Sequence, residues 1–395
     1  MSIDPIVIVG AKRTPMGGFQ GDLSSCTASE LGAAAIAAAL AQSKLTTEQV
    51  DEVIMGCVLP AGQGQAPARQ AALGAGLDLG TACTTVNKMC GSGMRAAMSA
   101  CDSLTANSAN VIVAGGMESM SNAPYLLQKA RAGLRMGHNK VMDHMFLDGL
   151  EDAYDKGKLM GSFADSCASQ YNFSRETQDA YALRSLARAT AAIESGAFRD
   201  EIVAVESKAG RQAVSIDTDE QPAKARPDKI PQLKPAFNPD GTVTAANASS
   251  ISDGAAALVM MRTSTANALG CKPLAKVLGH CSHAQKPSEF AIAPIGAIDK
   301  LLDKTGTKVE DYDLFEINEA FAVVALAATQ ELSLDPDKVN INGGACALGH
   351  PIGASGARII TTLLYALKNA GKSRGIASLC IGGGEATAMA VELVP

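Results

Sequence analysis

Residues 82–117 read ACTTVNKMCGSGMRAAMSACDSLTANSANVIVAGGM. ACTTV and NVIVAGGM have the short apolar character of buried strands, and 92–106 between them has the length and composition of a helix. Strand, turn, helix and strand in this order predict an α/β sheet covered on both faces. The same alternation runs upstream. IVIVGA is strand-like, 29–43 is helical behind a Thr27/Glu30 capping box, VDEVIMGCV is a strand and ARQAALGAG a helix.

It returns after about residue 270 with LAKVLGHCSHA, IGAIDKLLDKTG, DYDLFEI, EAFAVVALAATQEL, NINGG, ASGARIITTLLYALKNA and SRGIASLCIGG, read as strand, helix, strand, helix, strand, helix, strand. VDEVIMG parallels YDLFEIN, CGSGMRAAMSA parallels LGHPIGASGARIITTLL, and NVIVAGGMESM parallels GIASLCIGGGEATAM. The chain therefore reads as two similar halves around a central insertion. Equivalent turns would then meet across a pseudo-two-fold axis, bringing Cys90 toward residues near 318, 350 and 380. The insertion, about 121–250, breaks the rhythm with a Met- and Gly-rich stretch. A long helix at 174–195 follows, capped by Ser174 and ended by Gly196, and then an irregular Pro- and Lys-rich segment.

A chain of 395 residues is too long for one ordinary core, and 47% apolar with 19% charged residues is a globular composition. A net charge of −6 argues against a nucleic-acid binder but leaves room for a local basic pocket. MSIDPIVIVGAKRTP lacks the pattern of a secretory signal, and no run has the length and apolarity of a membrane span. Ten cysteines without a CxxC pair suit a reducing compartment, so a cytoplasmic location is expected.

Four turns carry candidate chemistry. Cys90 sits at a helix mouth between glycines, where free N–H groups and the helix dipole are expected to lower a thiol pKa. Taken alone, such a cysteine is more often an inert core residue. Residues 91–96, GSGMRA, also fit the dinucleotide pattern G-x-G-x-x-A, with Glu118 as a late and poor acidic partner. His350, before Pro351 and among glycines, is a candidate general base, or equally a bonded loop histidine. Cys380 runs into three glycines, and Gly382 can aim an N–H at a reacting oxygen. Asn318 ends a strand, where it either orients a polar atom or caps a helix. His280, Cys281 and His283 lie on opposite faces of a strand and make a poor metal set. His138 and His144 are expected to be solvated. Met136, Met142, Met145 and Met160 suggest an adaptable apolar surface. Lys224, Arg226, Lys229 and Lys234 read as a solvated face able to attract an acidic ligand.

Together NKMCGSGMRA, NEAFA, GHPIGASGAR and CIGGGEA, in this order, resemble the thiolases, and acetyl-CoA acetyltransferases among them. The resemblance extends through GGMESMSNAPY, LKPAF and TVTAANAS. It implies a five-layered αβαβα fold of two similar halves. Residues 1–120 and 248–270 would form the first half, 121–247 a loop domain for CoA, and 271–395 the second half. It implies Cys90 as the nucleophile that takes the acyl group, His350 as the base for its proton, and Cys380 as the base for the methyl of a second acetyl-CoA. Asn318 would hold a water that, with His350, stabilises an enolate oxygen. The N–H groups of Cys90 and Gly382 would form a second oxyanion hole. Ser249, Phe237, Ala320 and Phe321 would line the pantetheine channel and Met160 the acyl pocket.

The implied reaction joins two acetyl-CoA into acetoacetyl-CoA and CoA, and reverses. It needs no metal or redox cofactor, nucleic acid or membrane. A homo-oligomer, dimer or tetramer, would form with 123–140 as its hairpin. Three departures stand out: Leu159 occupies a place where a histidine is common, Glu385 follows the last glycines, and QPAKARPDKIPQLKPAF differs from the commonest bacterial version, so phosphate contacts there are not carried over. The alternatives are a broader 3-ketoacyl-CoA thiolase, an NAD-dependent oxidoreductase using 91–96, and a non-catalytic lipid carrier. A ketoacyl synthase fits less well, because it lacks the second cysteine.

Overall fold

The computed structural model describes residues 4–209 and 212–395. Residues 1–3 and 210–211, within the expected first half and insertion, lie outside the described residues. The first half builds β1 (Ile6–Arg13), α1 (Ala28–Ser43), β2 (Glu52–Gly56), α2 (Pro67–Gly74), β3 (Ala82–Val86), α3 (Ser92–Thr105) and β4 (Val111–Ser119). The insertion holds α4 (Met160–Gln170), α5 (Arg175–Ser195) and short hairpins. The chain then returns as β5 (Ser252–Arg262). The second half follows with β6 (Ala275–Ala284), α6 (Ala293–Thr305), β7 (Leu314–Ile317), α7 (Ala322–Glu331), α8 (Ser355–Asn369), β8 (Arg374–Ile381) and β9 (Glu385–Leu393).

The strands pair in the order β7-β8-β9-β6-β1-β5-β4-β2-β3, with Gly17–Gly18 on β5. Each half repeats the same directions. In the first, β3, β2 and β4 are parallel and β5 and β1 antiparallel. In the second, β7 and β8 are parallel and β9 and β6 antiparallel. The halves join where Val7 and Ile8 pair with Lys276 and Ala275. Helices α1 and α2 cover the outer face of the first half, and α6 and α7 that of the second. Helices α3 and α8 are buried between the two, which completes the five layers.

Local chemistry explains the boundaries. Thr27 and Glu30 form the capping box of α1, Ser174 accepts from the N–H of Thr177 to start α5, and Gly196 ends α5 in a left-handed conformation. Two expectations are corrected. NINGG is not a strand: Val339 makes a single bridge to Phe315, and Asn340 turns at φ 49° because its amide bonds both the N–H and C=O of Ile317. Helix α7 starts at Ala322, not near Glu319, since the Ala320 N–H closes a tight turn on the Asn318 carbonyl (3.0 Å) and Phe321 pairs with Ala248. Asn318 therefore does not cap a helix. Among the described residues, no helix is long and apolar enough to cross a membrane.

Helices α3 and α8 meet at their first turns, backbone against backbone. A Cβ on Gly93 would lie 2.8 Å from the N of Ala357, and one on Gly356 would collide with the N of Met94. Gly93 thus serves close helix packing, not a nucleotide. This crossing sets the Cys90 turn beside the His350 turn.

Candidate active site

The Cys90 turn is held by its own short-range bonds. Met89 takes φ 48°, its N–H donates to the Asn87 carboxamide oxygen (2.9 Å), and Ser92 Oγ donates to the Met89 carbonyl (2.6 Å). A Cβ on Gly91 would strike Ile381, so that glycine admits the Cys380 strand at close range. A Lys88–Glu385 ion pair ties the same two loops together, which gives Glu385 a structural partner.

Cys90, His350, Cys380, Gly382, Ser249, Phe237, Met160, Ala320 and Phe321 line one cavity of about 350 Å³. Its remaining walls are largely apolar, including Phe146, Leu150, Leu159, Phe290 and Ile352. Asn318 is the exception among the expected site residues. It is buried behind His350, with its Nδ2 3.4 Å from His350 Nδ1.

The Cys90 sulfur faces the N–H groups of Gly382 and of Cys90 itself. Burial nevertheless pushes its thiol up to about 11. This corrects the expectation of a lowered value: α3 begins at Ser92, and two N–H groups do not offset the apolar walls. The fold also brings a distant acid close, because Glu118 adds to the rise. Cys380 is raised well above the ordinary thiol value, by burial first and then by Cys90. His350 is lowered to about 3 by burial and by the Arg358 cation. The resting pair is therefore a neutral thiol and a neutral imidazole.

The hydrogen-bond network assigns the imidazole tautomer. Ser355 Oγ donates to the Pro351 carbonyl (2.9 Å) and so accepts from His350 Nδ1 (2.6 Å). The proton sits on Nδ1. Nε2, which has no protein partner among the described residues, keeps a free lone pair. That is the arrangement of a general base.

Buried carboxylates fix the loops. Glu118 accepts the N–H groups of Val58 (2.9 Å), Leu59 (3.1 Å) and Gly353 (2.9 Å), and so joins the two halves beneath the site. Both oxygens are engaged, which removes it as a ribose ligand for GSGMRA. Glu319 accepts from Tyr181 (2.9 Å), Ser185 (2.7 Å), Asn340 (2.9 Å) and the N–H of Cys346 (3.0 Å), anchoring the loop that carries Asn318. Ser249 donates to the Ala320 carbonyl (2.9 Å) and retains lone pairs for an amide N–H. Phe237 packs on Gly161 and edge-on to Phe321 at 6.0 Å.

Other candidates fall elsewhere. His280 pairs with Asp102 and His283 with Gln285, away from the cavity. His144 is buried against Asp148 (2.6 Å), not solvated, with its N–H bonded to the Pro124 carbonyl (3.1 Å). Met145 joins the core beside Cys90, Met160 lines the cavity and Met136 is fully exposed. Ser355, Arg358 and Glu319 were not singled out from sequence as site residues, and Glu118 only as a poor acidic partner for GSGMRA. The S-G-A-R run after GHPIGA was visible, but nothing local marks Ser355 and Arg358 as partners of His350.

A neutral pair at rest has a direct consequence. The iodoacetamide reactivity of Cys90, followed by peptide mass spectrometry, is expected to keep rising from about pH 7 to about pH 10, since only the thiolate reacts. A plateau below about pH 8 would reveal a preformed thiolate–imidazolium pair instead.

Two family models cover the chain: thiolase, N-terminal domain, over residues 6–264, and thiolase, C-terminal domain, over 271–393. Acetyl-CoA acetyltransferase 2 of Arabidopsis thaliana is 51% identical, covering 100% of this chain and 98% of the relative. Acetyl-CoA acetyltransferase of Pseudomonas aeruginosa is 49% identical over 97% and 98%. The crystal structure of the Bacillus anthracis acetyl-CoA acetyltransferase superposes with a TM-score of 0.96 at 42% identity, covering 99% of both chains. The Acat5 thiolase of Ascaris suum, solved in complex with coenzyme A, gives 0.94 at 40% identity, covering 99% and 100%. With both domain models matched in order, and half its residues shared with a full-length relative, this chain belongs to the thiolase family.

Proposed function

We propose that this thiolase condenses two acetyl-CoA into acetoacetyl-CoA and CoA through an acetyl-Cys90 thioester, and catalyses the reverse thiolysis. The observation that carries the reading is the meeting of Cys90, His350, Cys380 and Gly382 in one apolar cavity. Each has the protonation state that its step requires at the start.

His350 Nε2 takes the Cys90 proton as the sulfur attacks the thioester carbonyl. The N–H groups of Cys90 and Gly382 receive the oxyanion. The C–S bond to CoA breaks, and Cys380 gives its proton to the departing CoA sulfur. The Cys380 thiolate then takes a proton from the methyl group of the second acetyl-CoA. The resulting carbanion attacks the acetyl carbon on Cys90, and the Cys90 sulfur leaves and recovers its proton from His350. Asn318, through a bound water, and the His350 imidazolium hold the enolate oxygen in between. Protons balance, and each group ends as it began. The reaction as written requires no metal and no redox cofactor.

CoA enters along the 121–247 segment. A second cavity of about 340 Å³, lined by Gln221, Lys224, Arg226, Lys229 and Leu233, shares Ala245 and Ser250 with the reactive one. Its cations suit the phosphates, and Ser249 suits a pantetheine amide. A broader acyl range is the second reading, favoured by the apolar wall of Phe146, Leu150 and Leu159. The chain is read as cytoplasmic. It assembles with copies of itself through 123–140, where Tyr125, Leu127, Leu134 and Met136 are all exposed. Light scattering on the purified chain is expected to give a multiple of the monomer mass, and a monomer would remove this assembly.

Incubation with acetyl-CoA, acid quench and peptide mass mapping are expected to place an acetyl group on Cys90. Cys90→Ala removes the adduct. Cys380→Ser keeps it but loses condensation by about 100-fold or more, the size expected of a lost general base. No adduct on Cys90 from any acyl-CoA would end the enzyme reading. Thiolysis of acetoacetyl-CoA over a 3-ketoacyl-CoA two carbons longer is expected to favour the former by about tenfold. A ratio near or below one would establish the broader enzyme.

A further inference from the structure

Arg358 is 1% exposed, yet it carries no part of the reaction described above. It lies one turn beyond Ser355 on α8, behind His350 and Asn318. Its Nη2 donates to Asn318 Oδ1 at 3.4 Å, and its Nη1 is 3.6 Å from Glu316 Oε2. Nε and Nη1 have no hydrogen-bond partner among the described residues. The charged groups around it are Glu316 on β7, Arg13 on β1, Glu201 beyond α5, and Glu319 beside Asn318. A buried cation with so loose a pairing is costly, and its position therefore calls for a function.

A carboxamide can sit either way round. With Nδ2 toward Arg358, two donors would face each other and Oδ1 would turn to His350 Nδ1–H. There it would compete with Ser355 for the proton that sets the tautomer. With Oδ1 toward Arg358, as observed, the oxygen meets a donor, and Nδ2 lies 3.4 Å from the Nδ1–H of His350, a looser contact of two donors that leaves both Nδ2 protons for other acceptors. We propose that Arg358 is a positioning residue. Its guanidinium holds the Asn318 oxygen so that the amide presents a donor to the enolate water. The same charge, after burial, disfavours the His350 imidazolium. This rests on the reading of Asn318 and His350 as the enolate-stabilising pair. The orientation serves the second half-reaction, because acetylation of Cys90 does not use Asn318.

The test compares Arg358→Met, Arg358→Lys and Asn318→Ala in the full chain. In Arg358→Met, kcat for condensation and for acetoacetyl-CoA thiolysis is expected to fall by about 100-fold with KM changed less than about threefold, the scale of one lost oxyanion donor. Acetyl-Cys90 still forms from acetyl-CoA, and the acid limb of its pH profile moves to higher pH. In Arg358→Lys, one ammonium bonded to Glu316 cannot also hold the amide. There kcat falls by about tenfold or more while the acid limb stays in place. Arg358→Lys also carries the test if the Met variant does not fold. Wild-type kcat in Arg358→Lys, or an unmoved acid limb in Arg358→Met, would overturn the proposal. Loss of both half-reactions together would overturn it as well. Full activity in Asn318→Ala would instead remove the site reading beneath it, so the two failures are distinguishable.

Discussion

The first turns of α3 and α8 touch backbone to backbone, and the site exists because they do. Gly93 packs against Ala357, Gly356 against Met94, and Gly116 of β4 against the Gly353 carbonyl. A side chain at Gly93 or Gly356 would push the two helices apart, and one at Gly116 would displace the Gly353 loop. The Cys90 turn enters one helix and the His350 turn enters the other, so this crossing sets the separation of nucleophile and base. The sheet repeats on either side of it, and the join at Val7–Ile8 with Ala275–Lys276 keeps the halves in register. Glu118 then stitches the halves below the site, through N–H groups from both.

Electrostatics follow from that closure. Phe237, Phe290, Phe321 and Ile352 give the cavity apolar walls, and burial there raises both thiols and lowers the histidine. Charge separation is disfavoured at rest and becomes favourable only when a substrate oxygen carries charge to the waiting N–H groups. Two of the buried carboxylates beside the site, Glu118 and Glu319, are spent on backbone N–H groups, hydroxyls and the Asn340 amide. They act as struts for loops. Lys88 and Glu385 make a weaker, more exposed strut between the two cysteine loops.

Much of this was legible in the chain. Helix limits followed from Thr27, Glu30, Ser174 and Gly196, because caps are local hydrogen bonds between residues a few positions apart. The repeat was legible because strand and helix periods survive in each half. The reactive residues were legible as four motifs in order. NINGG and the start of α7 were misjudged for one reason: Asn340 and Phe321 are committed to distant partners, Ile317 and Ala248, that override local preference. His144 was misjudged because its N–H pairs with the Pro124 carbonyl, a contact that the local pattern does not announce.

By itself, the sequence determined the order of elements, the two-fold repeat and the identity of the reactive groups, since each depends on residue type and short spacing. The tertiary structure alone decided their protonation and the placement of Asn318 behind His350. Those depend on groups remote in the chain, among them Glu118 for the Cys90 thiol and Arg358 beside Asn318. A pKa or an amide orientation is set by the dielectric and the charges within a few ångströms, and only folding brings those neighbours together.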